Sequence, residues 1–226
     1  MTLAAGLAAI LFVAAAGAAA AGTRVPVDPN APPWNAIAKV QTNTGTRCTG
    51  VLIAPSVVLT AAHCLYNRRT QALLRPLSLH VLFGFERDRY RQHLRVAEVT
   101  LGPGFVPGLQ RPQPGDWARL DLAGTATAAP LPRYDGPVKA GLAVALAGYN
   151  RDRSQLLLAD RDCHVDSVER LAGGARYLLH DCAATYGTSG APLLAQQHGH
   201  WTWLAINLAA GRKENLALAP GPAPAK

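Results

Sequence analysis

The feature that most narrows the fold of this chain is the spacing of its chain breakers. Seventeen prolines and 21 glycines are scattered through 226 residues, and they cut the body of the sequence into short runs of apolar and β-branched residues. Such runs read as strands bounded by turns. The candidates in the first half are the loose alternation from Trp34 to Thr42, then Thr49–Ile53, Val57–Thr60, Leu77–Phe85, Arg95–Leu101 and Trp117–Leu122. In the second half they are Leu142–Tyr149, Arg161–Val168, Arg176–Asp181, Ala191–Gln196 and Trp201–Leu208. Helix-length stretches between successive strands, as βαβ units require, are missing. The reading is therefore all-β: two six-stranded antiparallel β-barrels with a cleft between them. The stretch 124–136, with its prolines and small residues, marks the join, giving an N-terminal barrel over 34–130 and a C-terminal barrel over 131–216.

The ends read differently from the body. Residues 2–22 carry no charge and run through L-A-A-I-L-F-V into a string of small residues, the pattern of an export signal over 1–22 that is cleaved near Ala19–Gly22. An uncleaved membrane anchor of about 20 apolar residues is the rival, and the alanine-rich composition argues against it. Residues 23–33 are proline-rich and read as a linker or short pro-segment, and 217–226 reads as a low-complexity tail. The formal charge of +8 comes from arginines spread along the chain without interleaved aromatics, so nucleic-acid binding is not implied. Cys48, Cys64, Cys163 and Cys182 form no C-x-x-C pair, which argues against a zinc ribbon. Disulfides and an oxidising compartment follow, in agreement with export, and four cysteines allow three pairings. His198 and His200 in H-G-H lack a third ligand and read as turn residues. Neither a metal nor a cofactor is called for.

Function concentrates in D-C-A-A-T-Y-G-T-S-G-A-P-L-L, from Asp181 to Leu194. Gly187 and Gly190 flank Ser189 and permit a loop whose successive N–H groups converge on one point. A serine hydroxyl needs a base to become a nucleophile, and the base needs an orienting partner. T-A-A-H-C supplies His63 at the end of an apolar strand, and G-D-W-A-R-L supplies Asp116 at the head of another. With His63, Asp116 and Ser189 in that chain order, the sequence resembles the trypsin-like serine peptidases over roughly Trp34 to Gly211.

The resemblance implies a catalytic triad of His63, Asp116 and Ser189 and an oxyanion hole made by the N–H groups of Gly187 and Ser189. It also implies disulfides Cys48–Cys64 and Cys163–Cys182, and a primary pocket lined by Ala183 to Tyr186 and Asn207 to Gly211, with Ala183, Ala184, Asn207 and Ala210 as substrate-binding residues. The expected function is that of an exported serine endopeptidase, secreted or periplasmic, acting as a monomer on protein or peptide substrates. Two departures carry information. Many relatives place an aspartate before the nucleophile, where it pairs with a buried N-terminal ammonium, whereas this chain has Thr188. Ala191 follows S-G, as in several bacterial relatives, so the sequence is closest in pattern to the exported bacterial branch that includes glutamyl endopeptidases. Those enzymes carry a histidine where A-I-N places Asn207, and an amide brings no charge. No acidic residue lines the pocket, which points away from cleavage after Arg or Lys and toward small, apolar or uncharged side chains. A catalytically inactive binding protein on the same fold is the alternative, resting on Thr188.

Overall fold

A computed structural model describes residues 23–211 and 214–221. In chain order its strands are β1 (Val25–Pro26), β2 (Ile37–Thr42), β3 (Arg47–Ala54), β4 (Val57–Thr60), β5 (Tyr66–Asn67), β6 (Ala72–Leu73), β7 (Leu79–Phe83), β8 (Gln92–Leu101) and β9 (Ala118–Leu122). The second half adds β10 (Ala143–Tyr149), β11 (Leu157–Arg170), β12 (Arg176–His180), β13 (Pro192–Gln197), β14 (His200–Ala209) and β15 (Asn215–Ala219). Between strands the only helical elements described are single 3-10 turns of three or four residues. The glycines and prolines limit the chain to these.

Two closed antiparallel barrels result. The first runs β2-β3-β4-β9-β8-β7 and closes on itself, with β2 paired to both β3 and β7. The second runs β11-β10-β13-β14-β15-β12 and closes through β11 and β12. The two-residue alternation of strands sends Ala118, Leu120 and Leu122 of β9 inward while Arg119 and Asp121 stay half-exposed and pair with each other. Burying a side chain such as Leu120 stabilises the barrel by about 2–3 kcal/mol. Long β11 serves two partners because register shifts bend it: Ala143–Tyr149 pairs along its first half and Arg176–His180 along its second.

Both ends of the body differ from the sequence reading. The stretch 23–33 is more than a linker: Val25 and Pro26 pair with Ala159 and Leu158, covering the edge of β11 that β12 leaves open. Arg24 holds this strap in place, its guanidinium reaching Asn150 at 2.7 Å and Asp152 at 2.9 Å. Residues 217–219, read as tail, belong to β15, which pairs with β12 and β14 and closes the second barrel. Ala217, Leu218 and Ala219 are buried. Residues 1–22, read above as an export signal, Arg212 and Lys213, and 222–226 lie outside the described residues. No helix among the described residues is long and apolar enough to cross a membrane.

The barrels meet along a seam that carries polar side chains. Tyr149 of β10 is buried and donates its hydroxyl to the Phe85 carbonyl at 3.0 Å. Lys39 of β2 is almost wholly buried, donates to the Ser154 carbonyl at 3.0 Å, and sits 3.6 Å above the Phe85 ring. Burial, with help from Arg47, pushes the Lys39 ammonium down to about 8.

Candidate active site

His63 is delivered by β4, whose four residues are all buried. The chain then turns through a 3-10 helix, Ala62–Leu65, that is anchored beneath by Ala62, Cys64 and Leu65. The Cys48–Cys64 disulfide ties the residue after His63 to β3. With both neighbours buried, the imidazole is left part-exposed at the seam. Asp116 comes from the glycine- and proline-rich loop 102–115, which folds tightly: a Cβ on Gly102 would lie 2.4 Å from the Gly115 carbonyl. The Asp116 carboxylate is buried and accepts twice from His63, from the backbone N–H at 2.9 Å and from Nδ1 at 2.8 Å. An ionised carboxylate only accepts, so Nδ1 carries a proton, and in the neutral imidazole the lone pair is therefore on Nε2.

Ser189 stands on a loop clamped against that same region. Its carbonyl accepts from the Thr49 N–H at 2.9 Å and lies 3.9 Å from the Cys64 sulfur, one residue from His63. Gly190 has φ +79°, and a Cβ there would meet the Thr49 carbonyl at 2.2 Å and the Thr60 hydroxyl at 2.3 Å. Only glycine permits this approach of the two barrels. No hydrogen bond joins the Ser189 hydroxyl to His63 among the described residues; such contacts are commonly long before substrate binds and tighten in the complex.

The peptide planes on either side of the Gly187–Thr188 peptide are pinned from behind. A trans peptide points its N–H opposite to its carbonyl, so anchoring the carbonyl aims the donor. The Tyr186 carbonyl accepts from Arg151 N–H at 2.6 Å, which orients the Gly187 N–H. The Thr188 carbonyl accepts from Ala191 N–H at 2.9 Å, which orients the Ser189 N–H. Neither Gly187 N–H nor Ser189 N–H donates to another described residue. Two free donors two residues apart, beside a hydroxyl, form the kind of nest that binds a developing oxyanion.

Thr188 itself is buried and fully occupied: its hydroxyl donates to the Thr185 carbonyl at 2.6 Å and receives the Asn207 amide at 3.2 Å. Asn207 Oδ1 in turn accepts from His180 Nε2 at 3.0 Å. Burial pushes His180 down to about 4, so the ring is neutral, with its unpartnered Nδ1 shielded from water. The Asn207 side chain, expected to face substrate, is therefore buried and turned toward Thr188 and His180. Ala183 and Ala184 are half-buried and Ala210 is exposed. The Ala183 N–H is held by the buried Asp160 carboxylate at 2.8 Å, and the Cys163–Cys182 disulfide backs this segment. Thr49, Arg151 and His180 were not legible as contributors to the site, because each acts through a partner distant in sequence.

Two closed six-stranded barrels, with the His63–Asp116 pair and the Ser189 loop at their seam, define the chymotrypsin fold. The family model for trypsin matches residues 23–220, and the chain belongs to the trypsin family of serine peptidases. A solved structure described as Glu endopeptidase in complex with MPD is similar at a TM-score of 0.72 and 20% identity, covering 89% of this chain and 92% of that one. At that identity the likeness is one of fold.

Proposed function

We propose that this protein is an exported serine endopeptidase that cleaves peptide bonds through an acyl-enzyme. Ser189 Oγ attacks the carbonyl carbon, His63 Nε2 takes the hydroxyl proton and then delivers it to the departing amine, and water repeats the sequence to free the acid. Asp116 keeps Nδ1 protonated and stabilises the imidazolium. Gly187 and Ser189 N–H groups receive the oxyanion, each donor worth about 3–4 kcal/mol. The observation that carries this reading is the double acceptance of His63 by Asp116, which leaves Nε2 as the base. Thr188 supports it further. Its hydrogen bonds to Thr185 and Asn207 support the loop from within, so activity does not require a buried N-terminal ammonium.

The alanines at 183, 184 and 210 offer no countercharge, and the Asn207 amide is engaged elsewhere, which favours small or apolar side chains at the cleaved bond. Two disulfides agree with an oxidising destination, secreted or periplasmic. Fluorophosphonate labelling tests the proposal: an adduct on Ser189 that disappears in His63→Ala is the expected result. A wild-type protein that stays unlabelled and leaves a proteome-derived peptide library uncut would overturn it.

A further inference from the structure

Thr49, on the first barrel, makes four hydrogen bonds at the seam, and three of them reach the second barrel. Its N–H donates to the Ser189 carbonyl at 2.9 Å, its hydroxyl donates to the Gly187 carbonyl at 3.0 Å, and the same hydroxyl accepts the Tyr149 N–H at 2.9 Å. Its carbonyl accepts from the Thr60 hydroxyl at 2.7 Å. The residue is wholly buried. A buried hydroxyl with its donor and acceptor roles both fixed has one orientation, so its hold on Gly187 is directional.

The Gly187–Thr188 peptide is the middle of the three planes in the loop. The planes on either side carry the two free donors, and their carbonyls are held within the second barrel by Arg151, Ala191 and Asn207. The middle plane sets the angle and spacing between those donors. It is fastened at one end by Thr188 N–H to the Thr185 carbonyl at 3.2 Å and at the other by the Thr49 hydroxyl. Gly187 sits at φ +98°, where a glycine rotates readily once its carbonyl is released. Thr49 also follows Cys48, whose disulfide holds Cys64 beside His63. One residue therefore registers the barrel that bears the base against the loop that bears the nucleophile.

We propose that the Thr49 hydroxyl is a positioning residue for the oxyanion donors, acting across the barrel seam on the Gly187 carbonyl. This rests on the peptidase reading. It predicts that turnover, and not only stability, depends on that single oxygen. The test uses p-nitrophenyl acetate, an activated ester that needs little of the substrate pocket, with the initial burst counting working sites. Thr49→Val keeps the shape and removes the hydroxyl, and its acylation rate per titrated site is expected to fall about 10- to 100-fold, below the loss caused by deleting a donor outright. Thr49→Ser restores the hydroxyl and is expected to stay within about twofold of wild type even with a lower melting temperature. A Thr49→Val protein that acylates at the wild-type rate per site overturns the proposal alone. So does a Thr49→Ser protein that loses the rate, which decides the matter if the valine variant does not fold. A wild-type protein with no burst overturns the peptidase reading and this role together.

Discussion

Replacing Asp116 with asparagine isolates the tautomer from the geometry. Asp116 Oδ1 faces the His63 backbone N–H at 2.9 Å and Oδ2 faces Nδ1 at 2.8 Å. A backbone N–H is always a donor, so an asparagine must turn its carbonyl toward it and its NH2 toward the ring. Nδ1 is then forced to accept, the proton moves to Nε2, and the imidazole no longer has a lone pair for the Ser189 proton. Both hydrogen bonds survive, so the fold is expected to melt within a few degrees of wild type. Turnover is expected to fall about 10⁴-fold, the loss associated with the wrong tautomer in a triad of this kind. That factor corresponds to about 5 kcal/mol of transition-state stabilisation. The measurement is kcat on a peptide that the wild type cleaves, beside a thermal melt. Retention of kcat within tenfold, with the fold intact, would show that the Asp116 contact does not set the histidine's role.

Gly190→Ala places a methyl 2.2 Å from the Thr49 carbonyl at φ +79°; left-handed backbone and overpacking together are expected to cost about 2–5 kcal/mol, read as a lower urea midpoint. Lys39, pushed down to about 8 by burial and by Arg47, returns to about 10.4 when unfolded. Between those values the unfolded chain binds the extra proton, so the penalty of a buried ammonium is present below pH 8 and lifts as pH rises. Lys39→Met removes that dependence, and its stability relative to wild type is expected to be more favourable at pH 7 than at pH 9.5; an unchanging difference between the two urea curves would refute the assignment. Changing Cys163 and Cys182 together to alanine opens a link across 19 residues, and a loss of about 3 kcal/mol is expected from denaturant unfolding under non-reducing conditions.

Parts of the first barrel were legible from short apolar runs between turn residues, most clearly β9, which alternates and lies between Gly115 and Gly124. β15, Asn215–Ala219, was missed: its N-L-A-L-A run is mostly buried and shows no polar/apolar alternation to mark it as a strand. Its five residues sit beside a proline-rich end, and only the pairing with β12 and β14 distinguishes them from tail. Val25–Pro26 was equally hidden, since a two-residue strand exists only by virtue of the edge it covers. Asn207 was expected to line the pocket from the family resemblance; burial instead turns its amide to His180 and Thr188.

By itself the sequence determined the strand-rich class of this protein and the chemical types of its candidate site residues. Chain breakers limit element length locally, and a serine between glycines, a histidine and an aspartate are chemical types readable one residue at a time. The tertiary structure decided which donors stay free and which side chains hold them there. That outcome belongs to contacts such as Thr49 with Gly187, 138 residues apart in the chain, where orientation is fixed by closure and packing of two barrels.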